Sequence, residues 1–480
     1  MKSSHTLLFI CAVFAILAAL CLCFPHNGIN IGKLTLRFPT MHKVLVREKT
    51  ASIEELMRQE EEIKMMQDIC DSIHYYHTII DSSDNRFWFP NDDPAFFDPL
   101  FKQMEAAQQQ GRTIRILHYG DSQIEMDRMT DRLRTYMQNR YGGGGPGMLP
   151  LRQTVYTRSV NQNVNGSMVL QSSFGGDSTH SYRANGNYGP MARCWHMYGN
   201  ATMSVSASKQ KDVPESFKRF STVSVIFNNT GNEPLTATLS TRTSTLSTPS
   251  RRQCSSPGVH SFAWQLDSSA TDIHLSLQGD GDIYCVTVDD GPGVAVDNIA
   301  LRGCSGQQFT MINADQLTEA YRNLDVGLII MQFGGNSVPY IRCDQALEPY
   351  LNNLGRQIDR LHEACPNALI LFIGPSDMST TINGTRHTYL YLPTMVAKLQ
   401  QMANEHGAAY WSIYHAMGGK NSMVAWVENG LAGSDYIHFS QKGVNLMGDR
   451  LAEAFQKMSD FYHLRKNIPA EQFDSVWRNR

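Results

Sequence analysis

The stretch Val-Gly-Leu-Ile-Ile-Met-Gln-Phe, residues 326–333, is apolar at almost every position. A strand with one face in water alternates apolar and polar residues, whereas a parallel strand covered by helices on both faces is apolar throughout. The next segment predicts a helix, since apolar residues recur at helical spacing at Leu347, Leu351, Leu354, Ile358 and Leu361. The sequence around residues 326–333 therefore predicts a buried parallel strand in an α/β domain.

Strands and helices alternate on both sides of this segment. Further strands are predicted at residues 113–119, near 298–301, at 368–373 and at 409–414, and helices at 97–110, 395–406 and 444–458. Such alternation predicts right-handed crossovers and a three-layer α/β/α sandwich with a parallel sheet. We expect this domain to comprise residues 91–150 and 296–465.

A different composition separates those two parts, over residues 151–295. Ser, Thr, Asn and Gly are abundant there, and short alternating runs recur at 221–227, 235–239, 273–277 and 284–288. This pattern predicts an all-β sandwich or jelly roll inserted into the α/β domain. Four aromatic side chains either stack on sugars or fill the core of this region, and the core is favoured: Trp195, Tyr198, Trp264 and Tyr284.

The N-terminus has the features of an export signal. Lys2 precedes an uncharged apolar run at residues 7–24. That length suits either a long signal peptide or an uncleaved membrane anchor, so residues 1–24 are assigned to one of the two. We expect the rest of the protein to be periplasmic or in the cell envelope. Residues 25–90 are predicted as a helical or stalk segment and 466–480 as a C-terminal tail.

Composition narrows the function classes. The chain of 480 residues has 42 Lys plus Arg and 45 Asp plus Glu, so its balanced charge gives no reason to expect a nucleic acid partner. Seven of the 10 cysteines lie outside the apolar run, and none forms a C-x-x-C pair. Cys254 and Cys285 either bridge or stay as buried thiols. Neither a metal cluster nor a cofactor motif is found, so we expect no metal and no cofactor.

A candidate nucleophile follows the first strand of the α/β domain, in Gly120-Asp121-Ser122. Reactive groups of open parallel sheets gather at the carboxyl ends of the strands. A serine between a strand and a helix would also lie near the positive end of the helix dipole, although Asp121 or Ser122 could serve only as a helix cap. Glu125 and Asp127 are interpreted as first-turn partners of that dipole.

A candidate base lies in Asp435-Tyr436-Ile437-His438, in the loop before the last predicted helix. An Asp three residues before a His can bind its Nδ1 and leave Nε2 free to take a proton from the serine. The motif alone is common by chance. With it present, His118 and His415 are interpreted as structural.

Two further loops follow strand ends and offer hydrogen-bond donors for a reacting oxygen. One is Phe333-Gly334-Gly335-Asn336-Ser337, where the Asn336 amide is a suitable oxyanion donor. The other is Gly303-Cys304-Ser305-Gly306, which can supply a main-chain N–H group.

Together these four segments resemble the SGNH (GDSL-like) hydrolase family, whose blocks are a G-D-S nucleophile, an oxyanion Gly, a G-x-N-D loop and a D-x-x-H. The resemblance covers residues 97–150 and 296–458. It implies that Ser122, Asp435 and His438 are catalytic, and that Ser122, Gly306 and Asn336 form the oxyanion hole. The sequence departs from the family at Ser337, where an Asp is usual.

The inserted region makes the chain similar to exported peptidoglycan O-acetylesterases that carry a carbohydrate-module-like insertion. The resemblance thus implies a serine esterase that removes O-acetyl groups from a cell-envelope or extracellular carbohydrate, with an acetylated glycan as partner. Two alternatives stay open. One is an O-acetyltransferase that uses the same residues, and the other is a non-catalytic carbohydrate-binding protein of the envelope.

Overall fold

The computed structural model describes residues 3–25, 27–32, 34–41, 53–174, 186–469, 471, 473, 476 and 477. The chain divides into two compact units, residues 1–74 and 75–480. The first contains helix α1 (Ser3–Cys23), a hairpin of β1 (Ile29–Ile31) and β2 (Leu34–Leu36), and most of helix α2 (Ile53–Asp81). The stretch Ser4–Cys23 is long and apolar enough to cross a membrane, and none of it is buried. It fits both a signal peptide and an anchor.

The second unit contains most of the regular structure. Its strands are β3 (Phe87–Trp88), β4 (Thr113–Gly120), β5 (Gly147–Leu149), β6 (Val160–Ser172), β7 (Arg193–Ala207), β8 (Phe220–Asn229), β9 (Leu235–Ser240), β10 (Arg251–Cys254), β11 (Gly258–Ala270), β12 (Asp272–Asp289), β13 (Gly293–Ala300), β14 (Val326–Gln332), β15 (Leu369–Gly374), β16 (Ser379–Ile382), β17 (Thr385–Thr388) and β18 (Ala409–Ser412). Its helices are α3 (Asp98–Ala107), α4 (Thr130–Tyr141), α5 (Ala314–Arg322), α6 (Asp344–Ala364), α7 (Leu392–Glu405), α8 (Ile413–Ala416), α9 (Ser422–Glu428) and α10 (Gln441–Arg465).

A six-stranded sheet forms the centre of this unit, in the order β13-β4-β14-β15-β18-β3. The first five strands are parallel, and β3 pairs antiparallel with β18 at the edge. The apolar stretch at 326–333 supplies β14, whose residues are all buried, as predicted. Strand β3 lies within the segment predicted as a stalk, and its two residues are too few for a strand to be recognised from sequence.

Helices pack in two groups about this sheet. Helices α3, α4 and α10 contact one another, and α5, α6 and α7 form a second contacting series. The sheet side chains Leu117, Tyr119, Ile329 and Met331 belong to one apolar cluster with residues of the second series. The α/β fold predicted for this part of the chain is therefore present, with an antiparallel strand added to the parallel sheet.

The strands from β5 to β12 form the β-rich region, residues 147–289. All eight are joined in one hydrogen-bonded network centred on β12, which pairs with β7 and β9 in its first half and with β8 and β5 in its second. The description of this region as a sandwich or jelly roll stays a prediction. Its bounds lie close to those of the predicted insertion, although β13 joins the parallel sheet from Gly293.

The β-rich region shares a core with the parallel sheet. Met148, Ile226 and Tyr284 belong to the same buried cluster as Leu117 and Tyr119 of β4. A region that buries apolar side chains against its neighbour is stabilised by it and is not an independent module. This agrees with the assignment of residues 75–480 to a single compact unit.

A buried ionic network joins the same two regions. The guanidinium of Arg115 on β4 donates to Asp297 at 2.8 Å through both Nε and Nη2, and to Asp289 at the end of β12 at 2.8 Å. All three side chains are at most 6% exposed. Burial lowers the pKa of Arg115, but the two carboxylates outweigh it and hold the pKa above its ordinary value. Arg115 therefore stays charged between them.

The structure distinguishes between the alternative roles that the sequence predicts for six residues of this region. Trp195, Trp264 and Tyr284 are buried, whereas the ring of Tyr198 is 51% exposed. The core interpretation thus fits three of the four aromatic residues. Cys254 and Cys285 are both free, and burial raises the pKa of the Cys285 thiol.

Candidate active site

Ser122 lies directly after β4, at the carboxyl end of the parallel sheet. Asp121 caps a 3₁₀ helix over Ser122–Asp127, and its Oδ1 accepts a hydrogen bond from the Gln123 N–H at 2.9 Å. The sequence predicts an α-helix at this point, but α4 begins only at Thr130. Ser122 therefore does not lie at the start of an α-helix, and no α-helix dipole acts on it there.

The chain between Ser122 and α4 has an unusual backbone. Met126, Asp127 and Met129 have φ values of 62°, 65° and 57°. Side chains with a Cβ rarely adopt this left-handed region, at a cost of roughly 1–3 kcal/mol each, and such residues concentrate at functional sites. Surrounding contacts must hold this segment in place.

Two buried carboxylates supply those contacts. Glu125 forms a bidentate ion pair with Arg302, at 2.7 and 2.6 Å. Asp127 accepts hydrogen bonds from Arg134 at 3.2 Å and from the Ser159 hydroxyl, just before β6, at 2.8 Å. Both carboxylates are at most 5% exposed. The predicted role as first-turn dipole partners is therefore wrong, because no α-helix begins here and both carboxylates pair with arginines.

His438 lies beside Ser122 and Asp435. Its Nε2 is 3.0 Å from the Ser122 Oγ, and its Nδ1 is 2.8 Å from Asp435 Oδ2. Because a carboxylate can only accept, Nδ1 donates to it and Nε2 is left to accept from the serine hydroxyl. The structure thus brings together the three residues that the resemblance implies to be catalytic.

Hydrogen bonds within the loop orient the carboxylate. Partial burial acts to raise the pKa of Asp435, but the hydrogen bonds from the His438 ring and from the N–H groups of Ile437 and His438 together outweigh it. The pKa of Asp435 therefore lies below its ordinary value. The Asp435 carboxylate is ionised at neutral pH and can stabilise a positive charge on the imidazole.

Three contacts hold the segment Asp435–His438, here called the base loop. The Gln123 amide donates to the Ile437 carbonyl at 2.8 Å, which joins this loop to the residue after Ser122. The Ser379 N–H, on the hairpin of β16 and β17, donates to the Tyr436 carbonyl at 3.2 Å. The guanidinium of Arg386 on the same hairpin lies 4.3 Å from the centre of the Tyr436 ring, a cation–π contact.

Asn336 contacts the residue before Ser122. Its Nδ2 donates at 3.1 Å to Asp121 Oδ2 and at 3.1 Å to the Cys304 carbonyl. Both amide hydrogens are therefore engaged in this structure, so one bond must be exchanged before the amide can donate to a substrate. Burial raises the pKa of Asp121 to about 6, although the hydrogen bond from the Gln123 N–H opposes this shift.

Gly306 does not reach the cavity beside Ser122. Burial raises the pKa of the Cys304 thiol to about 11, against the effect of hydrogen bonds from the N–H groups of Gly306 and Gln307. A Cβ on Gly306 would lie 3.0 Å from Phe333 and Leu354 side chains, so the residue is packed beneath the site. Gly306 is not among the residues that line the cavity, and its role as an oxyanion donor stays a prediction.

A cavity of about 230 Å³ opens beside Ser122. Its polar side carries Asp121, Ser122, Gln123, Asn336 and His438. Its apolar side includes Phe333, Pro339, Tyr340, Pro375, Met378, Ile413 and Ile437. A pocket with a few convergent polar groups on an apolar wall is typical of a small-molecule site.

The remaining histidines that the sequence singles out lie elsewhere. His118 is fully buried, with ring nitrogens 3.0 Å from Gln332 Oε1 and from the Thr130 hydroxyl, and burial lowers its pKa to about 4. His415 contacts the Ser412 hydroxyl at 2.9 Å. Neither lines the cavity. Within the described ranges, no group of three or more His, Cys, Asp or Glu side chains is placed to hold a metal ion.

Sequence reasoning missed several residues of this site. Gln123, Tyr340 and Met378 line the cavity, and the hairpin of β16 and β17 supports the base loop. The only available signal is position: Gln123 follows the candidate nucleophile, and Tyr340 lies four residues after Asn336. No pattern in the sequence indicates that residues 379–388 reach the base loop.

Comparison with known proteins agrees with this geometry. Residues 284–446 match the model of the GDSL-like lipase/acylhydrolase family. The predicted resemblance to this family is confirmed. The matched segment contains Asn336, Asp435 and His438, whereas Ser122 lies before it, on the other side of the β-rich region.

Solved structures provide the fold comparison. A peptidoglycan O-acetylesterase is similar with a TM-score of 0.57 and 21% identity, over 76% of this chain and 96% of that chain. A family two carbohydrate esterase from Cellvibrio japonicus aligns with a TM-score of 0.25 and 10% identity, over 63% of this chain and 99% of that chain. The first of these likenesses shows a shared fold. A search of the curated proteins returned no match to this sequence.

Proposed function

We propose that this protein is a serine esterase that removes O-acetyl groups from a carbohydrate of the cell envelope, of the peptidoglycan type. The observation that carries the proposal is the chain of contacts from Asp435 through His438 to Ser122, with spacings of 2.8 and 3.0 Å at the wall of a small cavity. A nucleophile, a base and a group that orients the base are the parts that acyl transfer requires.

In the first step the Ser122 Oγ attacks the acetyl carbonyl carbon while its proton passes to His438 Nε2. The carbonyl oxygen becomes an oxyanion, which the main-chain N–H of Ser122 and the Asn336 amide stabilise once that amide exchanges one of its present bonds. Collapse breaks the bond between the carbonyl carbon and the sugar oxygen, and His438 gives its proton to that oxygen. The products are a free sugar hydroxyl and acetyl-Ser122.

Water completes the reaction. His438 takes a proton from a water molecule, whose oxygen attacks the acetyl ester of Ser122. The second oxyanion collapses, the bond to Oγ breaks, and His438 returns the proton to the serine. Acetate leaves, and the Asp435 carboxylate stabilises the imidazolium in both steps. The Gly306 N–H, the third donor that the resemblance implies, stays a prediction, because Gly306 is not among the residues that line the cavity.

Three observations support the choice of substrate. The cavity of about 230 Å³ has room for an acetyl ester and part of the sugar that carries it. The exposed apolar helix at Ser4–Cys23 fits export or anchoring, which would place the enzyme near envelope glycans. A protein of the same fold is named as a peptidoglycan O-acetylesterase.

Acetate release from O-acetylated peptidoglycan tests the proposal, with the full chain in mild detergent. We expect release by the wild type and a loss of about 10⁴-fold or more in Ser122→Ala, since removal of a nucleophile abolishes the acyl-enzyme route. Ser261→Ala, on an exposed position of β11, is the matched serine control and should retain activity. Undiminished release by Ser122→Ala, at an unchanged melting temperature, would contradict the assignment.

The same acetyl-enzyme could pass its acetyl group to a sugar hydroxyl in place of water. Supplying an acetyl donor together with an unacetylated oligosaccharide distinguishes the two outcomes by mass spectrometry. An esterase yields acetate only, whereas an acetyltransferase yields the acetylated oligosaccharide.

A further inference from the structure

Tyr340 is an aromatic side chain that the fold leaves unpacked. The residue is 80% exposed, and it is the only strongly exposed large apolar side chain of the described residues that also lines the cavity beside Ser122. Ligand pockets are lined largely by apolar and aromatic side chains, so an exposed ring on the wall of this cavity is a candidate ligand contact.

The backbone that carries this ring is firmly held. Its N–H donates to the Ser337 carbonyl at 3.0 Å, and the Ile341 N–H donates to the same carbonyl at 3.1 Å. Val338 and Ile341, on either side, are buried in the main apolar cluster. The backbone of Tyr340 is therefore fixed before any ligand arrives, so that only the side-chain torsions have to be ordered on binding.

The cavity is large enough to hold more of a substrate than its acetyl group. Its volume is about 230 Å³, so the sugar that bears the ester can extend from Ser122 along the wall that includes Tyr340. The C–H faces of a pyranose are apolar, while its edge carries hydroxyl groups. A phenol ring offers a matching apolar face and a polar end.

We propose that Tyr340 forms the sugar subsite of this esterase, by stacking its ring on the pyranose that carries the O-acetyl group. The proposal rests on the proposed function and extends it to substrate recognition. The ring does not take part in the acyl transfer steps. Its contribution lies in affinity for the glycan and not in the rate at which a bound ester reacts.

The test compares two esters of acetic acid, an O-acetylated peptidoglycan disaccharide and vinyl acetate, which has no sugar. Loss of one aromatic contact should raise the KM of Tyr340→Ala for the disaccharide roughly 5- to 20-fold, with kcat changed less than about twofold. Its kcat/KM for vinyl acetate should fall by no more than about twofold, because that ester has no pyranose for the ring to stack on. Tyr340→Phe keeps the ring and should restore most of the affinity.

Leu390→Ala is the matched control, because Leu390 is 81% exposed and does not line the cavity. It should leave both substrates unaffected. A wild-type enzyme that cleaves the disaccharide, with Tyr340→Ala unchanged or equally impaired on both esters, overturns the subsite alone. A wild type that cleaves vinyl acetate and leaves the disaccharide intact overturns the proposed glycan substrate and this subsite with it.

Discussion

The two sides of the candidate site are held in different ways. On the nucleophile side, Asp121, Glu125 and Asp127 are each at most 5% exposed. On the base side, the side chains of Asp435 and His438 are 49% and 42% exposed. The nucleophile is thus positioned by the core, and the base is positioned by a short surface loop.

The two sides are held in place by contacts with different parts of the molecule. Asp127 bonds to Ser159 at the start of the β-rich region, and the Arg193 side chain of that region donates to the Ala300 carbonyl. The base loop depends instead on its own hydrogen bonds and on the hairpin of β16 and β17. Changes on the nucleophile side should therefore cost stability, and changes on the base side should cost activity alone.

The largest expected effect is on the base side. His438→Ala should lower kcat/KM for an acetyl ester by about 10⁴-fold, because the serine proton then has no acceptor. The free energy of unfolding should change by less than about 1 kcal/mol, since the side chain is well exposed. Steady-state kinetics and thermal melts measure both, with His274→Ala on the exposed surface of β12 as control. A large loss of stability would remove the contrast between the two sides.

The second largest expected effect is a loss of stability on the nucleophile side. Asp127→Ala leaves Arg134, which is 1% exposed, without its hydrogen-bonded carboxylate. Breaking a buried pair in this way should lower the free energy of unfolding by about 3–5 kcal/mol. Urea denaturation would measure the change.

The control for this variant is the exposed ion pair of Arg132, which lies two residues before Arg134 on α4. Arg132 pairs with Asp449 at 2.6 Å, with side chains 42% and 50% exposed. Asp449→Ala should therefore cost less than about 1 kcal/mol. Equal losses in the two variants would show that burial on the nucleophile side has no special role.

The smallest effect concerns the dependence of stability on pH. Burial raises the pKa of Asp121 to about 6 from 3.8, so the folded state binds this proton more tightly than the unfolded state. The resulting stabilisation is full below about pH 4 and is lost as the pH rises through about 6, by about 2–3 kcal/mol in total. Asp121→Asn should lack this loss. The measurement is the difference in unfolding free energy between wild type and variant from pH 4 to pH 7.

On the base side, the pKa of Asp435 is shifted in the opposite direction to that of Asp121. Its pKa is lowered in the folded state, so its contribution is present above its ordinary pKa and is lost as the pH falls. The curve of wild type minus Asp121→Asn should therefore fall between about pH 4 and pH 7, whereas the curve of wild type minus Asp435→Asn should stay level above about pH 4 and fall as the pH drops below it. Parallel slopes would contradict the contrast in burial.

Local patterns in the sequence predict much of this molecule. The apolar run that became β14 and the alternation around it predict the α/β fold, because helices on both faces of a sheet require such runs. The G-D-S and D-x-x-H motifs lie at carboxyl ends of the sheet, and the structure places Ser122 and His438 3.0 Å apart.

Features that depend on distant packing are not predictable in this way. The 3₁₀ helix after Ser122 replaces an expected α-helix because Glu125 and Asp127 pair with arginines at positions 302 and 134. Gly306, predicted as an oxyanion donor, packs against Phe333 and Leu354 and is not among the residues that line the cavity. The shared core between β4 and the β-rich region likewise appears only when the chain is folded.

Covalent labelling tests most directly whether Ser122 is a nucleophile activated by His438. A fluorophosphonate reacts with a serine whose hydroxyl is activated by a neighbouring base, and peptide mapping by mass spectrometry locates the adduct. We expect one adduct in the wild type, on the peptide that contains Ser122. It should form much more slowly in His438→Ala and be absent in Ser122→Ala. An enzyme that cleaves acetyl esters while Ser122 stays unlabelled, or that is labelled at another serine, would contradict it.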